Sequence, residues 1–231
     1  NFNAYFFIIT KKFAQAFEME EVRYYFGIIG IAILIITCNI YHIFGNAAKA
    51  FQQAAFQVGS IITTTGYATT DFNTWPEISR TILLLLMFIG ACAGSTGGGI
   101  KVSRIIILFK GMSKELQTMV QPRQIKKIKM DSRIIDHETV RSVNVYMVAY
   151  LMIFAISQVL ISFDNHDLIT SVTAVTATIN NIGPGLDLVG PTSNFGIFTM
   201  QSKIVLIFDM LAGRLELFPM LLLFTPATWK K

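Results

Sequence analysis

Four long apolar stretches set the terms for any fold of this chain. They run over Tyr24–Phe44, Trp75–Phe109, Val140–Phe163 and Phe198–Phe224. As a helix, each is long enough to cross a hydrocarbon core of about 30 Å. Of the 231 residues, 53% are apolar and only 14% are charged, where a water-soluble domain carries about a quarter charged residues. That much apolar surface needs a solvent other than water, and a bilayer provides it. The net charge of +5 is unevenly spread, in short basic blocks beside apolar runs. This is a membrane-topology pattern, not a nucleic-acid-binding one. Cys38 and Cys92 lie far apart inside apolar segments and suit packing, not a disulfide or metal framework. His42, His137 and His166 have no partner at metal-ligand spacing. No nucleophile–base pair stands out, so an enzyme is not expected.

Two shorter, semi-polar segments, Ala47–Ile62 and Asp167–Ile179, fall between the long ones. They are too short and polar to span and suit re-entrant helices. Each precedes a polar, glycine-containing turn, and the turn glycines Gly66 and Gly183 are 117 residues apart. The order long, short, turn, long therefore occurs twice, as two copies of one unit. Ten Lys and Arg residues, Lys101 through Arg141, lie in and around the junction of the second and third apolar segments, while Lys49, Arg80 and Lys203 are the only ones on the opposite side. The basic side is predicted to be cytoplasmic, which puts both short segments and both turns in the outer half. The linker Lys110–Thr139 reads as a solvated loop or as a docking surface for a cytosolic partner.

Irregular backbone at membrane depth is tolerated only inside protein or beside water. A short helix followed by Thr63, Thr64, Thr65 and Gly66 supplies such backbone. The helix C-terminus carries partial negative charge, and backbone carbonyls can replace the hydration shell of an alkali cation. The second copy offers Asn180, Asn181, Ile182 and Gly183 at the matching places.

With these motifs in hand, the chain resembles the TrkH/KtrB superfamily of potassium-translocating membrane subunits, in its TrkH branch. The resemblance is carried by "TTTGYATTDFNTWP" at 63–76, "GACAGSTGGGIKV" at 90–102, "NNIGPGL" at 180–186, "GRLELF" at 213–218 and "FTPATW" at 224–229, with "VQPRQIKKIK" and "DHETVRSV" in support. It implies an all-α integral membrane fold of tandem helix–re-entrant pore helix–helix repeats, four in the full subunit, of which this chain resembles the third and fourth. Residues 1–20 would be the end of a preceding membrane helix and a cytoplasmic segment, the chain then being the C-terminal part of a longer protein. Residues 21–110 would be the third repeat, with pore helix 47–62, filter 63–67 and gate loop 90–100. Residues 111–139 would be a cytoplasmic linker. Residues 140–231 would be the fourth repeat, with pore helix 167–179 and filter 180–185. Potassium is the implied transported ion, at Thr64, Thr65, Gly66, Asn181, Ile182 and Gly183. Two repeats cannot close a fourfold filter, so this chain alone is expected to be non-conducting. No cofactor is expected on this chain. The implied partners are a TrkA-type cytosolic regulatory ring that binds NAD or ATP, a second copy of the full subunit, and membrane lipid. The implied setting is the inner membrane of a prokaryotic cell.

Gly94, Gly97, Gly98 and Gly99, with Ser95 and Thr96, break the second apolar segment, each glycine weakening a helix by about 1 kcal/mol relative to Ala. A phosphate loop is excluded because Ile100 stands where that motif needs Lys. Close helix packing through small residues is one reading. The resemblance gives another, an intramembrane gate formed by these six residues. Asp209, Arg214 and Glu216 put charges inside the fourth apolar segment, where each costs several kcal/mol, on the order of 3, unless paired or hydrated. A structural ion pair accounts for Arg214, or, by the resemblance, a fixed positive charge in the pore near the glycine loop. No role is assigned to Asp209. Asp71 and Asp187, with Tyr67, flank the turns and suit capping better than cation attraction. Two rivals remain at this point. A sodium- or proton-coupled secondary transporter would want inverted repeats, against the charge bias. A membrane scaffold would leave the two matched short units unexplained.

Overall fold

The computed structural model describes residues 2–121, 127–131, 133–214, 219, 220, 222 and 229. Two short helices, α1 (Phe2–Ile9) and α2 (Phe13–Glu18), lead into α3 (Glu20–Phe44), α4 (Ala47–Ile62) and α5 (Glu77–Phe88). After an irregular loop come α6 (Val102–Val120), a two-stranded antiparallel hairpin of β1 (Lys129–Met130) and β2 (Arg133–Ile134), then α7 (His137–Ile161), α8 (Leu168–Ile179) and α9 (Met200–Arg214). The fold is all-α and of membrane type. Two helical segments, Glu20–Phe44 and His137–Asp164, are long and apolar enough to cross a membrane. At 1.5 Å per residue, the 25 residues of α3 extend about 37 Å. Phe26, Ile31 and Leu34 on α3 and Leu151, Met152 and Ile156 on α7 are exposed, a surface suited to lipid or to further protein.

The helices α3 and α7 begin before the apolar runs do, at Glu20 and His137. The backbone ladder needs no apolar residue, and acidic side chains in the first turn (Glu20, Glu21; Glu138) favour the positive helix end. Likewise α6 runs on to Val120, so the linker at 111–139 starts as helix and ends as the first turn of α7. The second apolar segment is two helices, α5 and α6, separated by residues 89–101. Residues 122–126 and Glu216 lie outside the described residues, as does most of "GRLELF" and "FTPATW".

Each repeat has a core of its own. Ile36, Ile40, Ala54, Val58, Leu83 and Met87 knit α3, α4 and α5. Ile161, Ala174, Val175 and Leu206 do the same for α7, α8 and α9. Ile182 and Leu186, from the second turn, are buried in the first repeat's core, which joins the two repeats at the level of the turns. A third cluster packs Ile100, Tyr150, Ile179 and Ala212 and ties the loop after α5 to the second repeat.

Candidate functional site

The two turns share three backbone bonds at matching places. At the end of α4, Thr63 N–H donates to Gly59 O (3.1 Å), Thr64 N–H to Ile61 O (3.0 Å) and Thr65 N–H to Ser60 O (2.9 Å). At the end of α8, each bond recurs 117 residues later: Asn180 to Thr176 (3.2 Å), Asn181 to Thr178 (3.0 Å) and Ile182 to Ala177 (2.9 Å). This is a Schellman termination, whose last helical carbonyls are satisfied by the turn and whose next residue is left-handed. Glycine usually holds that left-handed place. Here Thr64 (φ 55°) and Asn181 (φ 54°) do, at a cost of about 1–2 kcal/mol each. Their side chains explain the choice. Thr64 Oγ1 accepts from Gly98 N–H at 3.3 Å, and Asn181 Nδ2 donates to Met210 O at 3.0 Å. Each strained residue fastens its turn to the layer behind it.

The turns also touch. Gly66 is left-handed (φ 79°), and a Cβ there would overlap the Ile182 carbonyl oxygen. Gly183 (φ 114°) comes so close that its Cβ would stand 3.7 Å from the Gly66 Cα. Thr63, by contrast, bends back, its hydroxyl donating to Gly59 O at 2.7 Å. Thr64, Thr65, Asn181, Ile182 and Gly183 line a cavity of about 620 Å³ whose far wall is α9. On the other flank of the turns, Asp71 Oδ1 accepts from Asn73 N–H (3.0 Å) and Asp187 Oδ2 from Thr170 Oγ1 (2.8 Å). Asn73 reaches across to Asp187, donating to its carbonyl at 3.0 Å and accepting from its N–H at 2.9 Å. Both acids are thus engaged in capping and turn bonds, and Tyr67 is exposed.

The glycine loop lies directly against the turns. A Cβ on Gly98 would overlap the Asn180 carbonyl oxygen, so nothing larger than glycine fits there. The loop's neck is closed by Gly90 N–H donating to Ile100 O (2.8 Å) and Ile100 N–H donating to Phe88 O (3.2 Å). Arg214, at the end of α9, donates from Nη1 to Thr96 O at 2.8 Å. Gly94 and Thr96 are exposed, while Gly98 is buried.

The model of the TrkH family, described as cation transport protein, matches residues 23–231. The chain belongs to the TrkH family. The Trk system potassium uptake protein TrkH of Salmonella typhimurium is 36% identical over 234 residues, covering all of this chain and 48% of that protein. The Trk system potassium uptake protein TrkG of Escherichia coli is 30% identical over 232 residues, again covering all of this chain and 47% of that protein. The crystal structure of the potassium transporter TrkH from Vibrio parahaemolyticus matches with a TM-score of 0.88 at 36% identity, over the whole of this chain and half of that one. The chain spans about half the length of the TrkH-family relatives it matches.

Within this TrkH-family site, three supporting residues escape sequence reading. Tyr150, buried in α7, donates to Asn180 Oδ1 at 3.0 Å, while Asn180 Nδ2 donates to Thr176 O at 2.9 Å. Both polar atoms of the Asn180 side chain are therefore used in holding the second turn. Glu21 and Lys101, both buried, bond the glycine loop. Lys101 stood out only within the 90–102 motif and as one basic residue of a topology signal, and Glu21 did not stand out at all. Asp209 is buried in α9 and accepts from Ser157 Oγ at 2.7 Å, its other oxygen having no partner among the described residues. No group of three or more His, Cys, Asp or Glu that could hold a metal occurs among the described residues.

Proposed function

We propose that this chain supplies two of the four filter strands, and the gate, of a potassium uptake pore in the inner membrane of a prokaryotic cell. The observation that carries the reading is the pair of turns with three matching backbone bonds, brought into contact through Gly66 and Gly183. Relatives named as potassium uptake proteins support it. Thr64, Thr65 and Gly66 in the first turn and Asn181, Ile182 and Gly183 in the second would present backbone carbonyls to a dehydrating potassium ion. The two remaining strands come from outside this chain. Gly94, Ser95, Thr96, Gly97, Gly98 and Gly99 would form the gate, with Arg214 bonded to its tip. The full subunit would pair with a second copy and dock a TrkA-type cytosolic ring that binds NAD or ATP and regulates the gate. The Lys and Arg bias to one side weighs against a coupled secondary transporter, whose repeats run inverted.

Flux through vesicles holding the complete protein tests this. Gly66→Ser and Gly183→Ser are expected to lower potassium over sodium preference. Gly66→Ser is expected to do so more, because its side chain meets the neighbouring strand's carbonyl while Gly183 has ordinary contact distance. Unchanged relative uptake of both ions by both variants would remove the filter assignment.

A further inference from the structure

A loop rich in glycine has little stiffness of its own, so the side chains that bond its backbone decide its position. Its exposed tip carries three consecutive carbonyls, those of Ser95, Thr96 and Gly97. All three accept from fixed cations. Lys101 Nζ donates to Ser95 O at 3.1 Å and to Gly97 O, and lies 3.4 Å from Ser95 Oγ. Arg214 Nη1 takes the carbonyl between them. Lys101 belongs to the loop's own exit, immediately before α6, and is only 9% exposed. Arg214 comes from α9 and is exposed. The tip is held from two sides, by one buried cation and one accessible cation.

The limbs of the loop are held by a buried anion. Glu21, 1% exposed in the first turn of α3, accepts through Oε1 from Ala93 N–H at 2.6 Å and from Ser103 N–H at 3.2 Å. Ala93 precedes the tip and Ser103 follows it, so one carboxylate oxygen staples the entry to the exit. Burial of two charges is costly unless they are paired and hydrogen-bonded, and both here hydrogen-bond backbone groups of the glycine loop.

We propose that Lys101 and Glu21 are positioning residues that hold the glycine loop in its closed place, Glu21 fixing the hinge and Lys101 the tip. This rests on the pore reading given above and adds a mechanism to it. A loop of free carbonyls beside a filter would itself be a ligand for a permeating cation. With a lysine and an arginine on those carbonyls, the tip instead presents fixed positive charge and a closed path. Opening breaks the accessible Arg214 bond and the Lys101 bonds at the tip, while the Glu21 staple stays and sets the axis about which the tip swings.

The test uses the complete protein in vesicles, with and without its cytosolic partner. Lys101→Met keeps the stem and deletes the ammonium. Partner-independent potassium flux is expected to rise at least about five-fold, the loss of charge-assisted bonds being of that order or larger, with potassium over sodium preference unchanged. Lys101→Arg is expected to restore most of the closed state. In a double-mutant cycle with Arg214→Ala, the two effects should be non-additive, because both cations grip one loop. Normal wild-type flux with an unaltered Lys101→Met, or a gain in flux accompanied by lost selectivity, or strict additivity with Arg214→Ala, would each overturn the clamp while leaving the pore reading standing. If Lys101→Met does not reach the membrane, Lys101→Gln, which keeps one donor, is judged by the same criteria. Failure of both to insert would make Lys101 a structural support and likewise overturn the proposal. Wild-type protein with no potassium flux would instead overturn the pore reading itself.

Discussion

Thr64 and Asn181 are the residues on which the geometry of the turns depends. Each follows the end of a short helix, α4 or α8, in a left-handed conformation that glycine would adopt more cheaply. Thr64→Gly should therefore leave thermal stability within about 1 kcal/mol of wild type, the relief of strain offsetting the lost bond. The same change frees the first turn from the Gly98 N–H. Gated flux is expected to become less dependent on the cytosolic partner, and thermal unfolding run beside vesicle flux checks both halves. A large fall in stability with normal gating would show that the hydroxyl is structural only. The need for an unusual backbone at Gly66 is readable from the sequence, since a hydroxyl-rich run ending in glycine is a local signal. The strain at Thr64 is not, because it is compensated by a partner 34 residues away.

At the scale of elements, the loop between α5 and α6 is set by its neck and by its cations, not by its length. The bonds between Gly90, Ile100 and Phe88 close the neck whatever lies beyond it. Deleting two residues within Gly94–Gly99 should leave α5 and α6 in place and draw the tip away from Thr64 and Arg214. Potassium flux is then expected to be faster, with the preference over sodium retained, as single-channel or vesicle recordings would show. Normal gated flux from the shortened loop would remove its role as a gate. That the second apolar segment breaks at 89–101 is legible from clustered glycines, each a poor helix former. Where the broken backbone finds its hydrogen bonds is not, because Glu21 reaches it from 72 and 82 residues away.

For the whole molecule, the proposed function makes the basic side the expected docking face for a cytosolic regulator. Lys127 and Lys129 are exposed beside the hairpin of β1 and β2, while Lys126 lies outside the described residues. Replacing all three by Gln should weaken docking of the regulatory ring several-fold, about 5-fold at low salt and less at high salt, since screening already removes most of an exposed charge's reach. Co-purification that survives the change at every salt concentration would place the contact elsewhere. The joining of the two repeats is stronger than their low sequence likeness suggests. Ile182 sits in the first repeat's core, and Asn73 makes two bonds to Asp187.

The sequence by itself determined the all-α membrane class, the doubled order of long and short segments, and the anomaly of Arg214. These follow from quantities each residue carries locally: the cost of apolar surface in water, of glycine in a helix, and of a charge in lipid. Which carbonyl Arg214 meets, why Asn180 is turned inward by Tyr150, and how Glu21 reaches the glycine loop were decided only by the tertiary structure. A hydrogen bond is fixed by distance and angle to within a few tenths of an ångström. Residues 30 to 118 positions apart reach such distances only after the helices have packed.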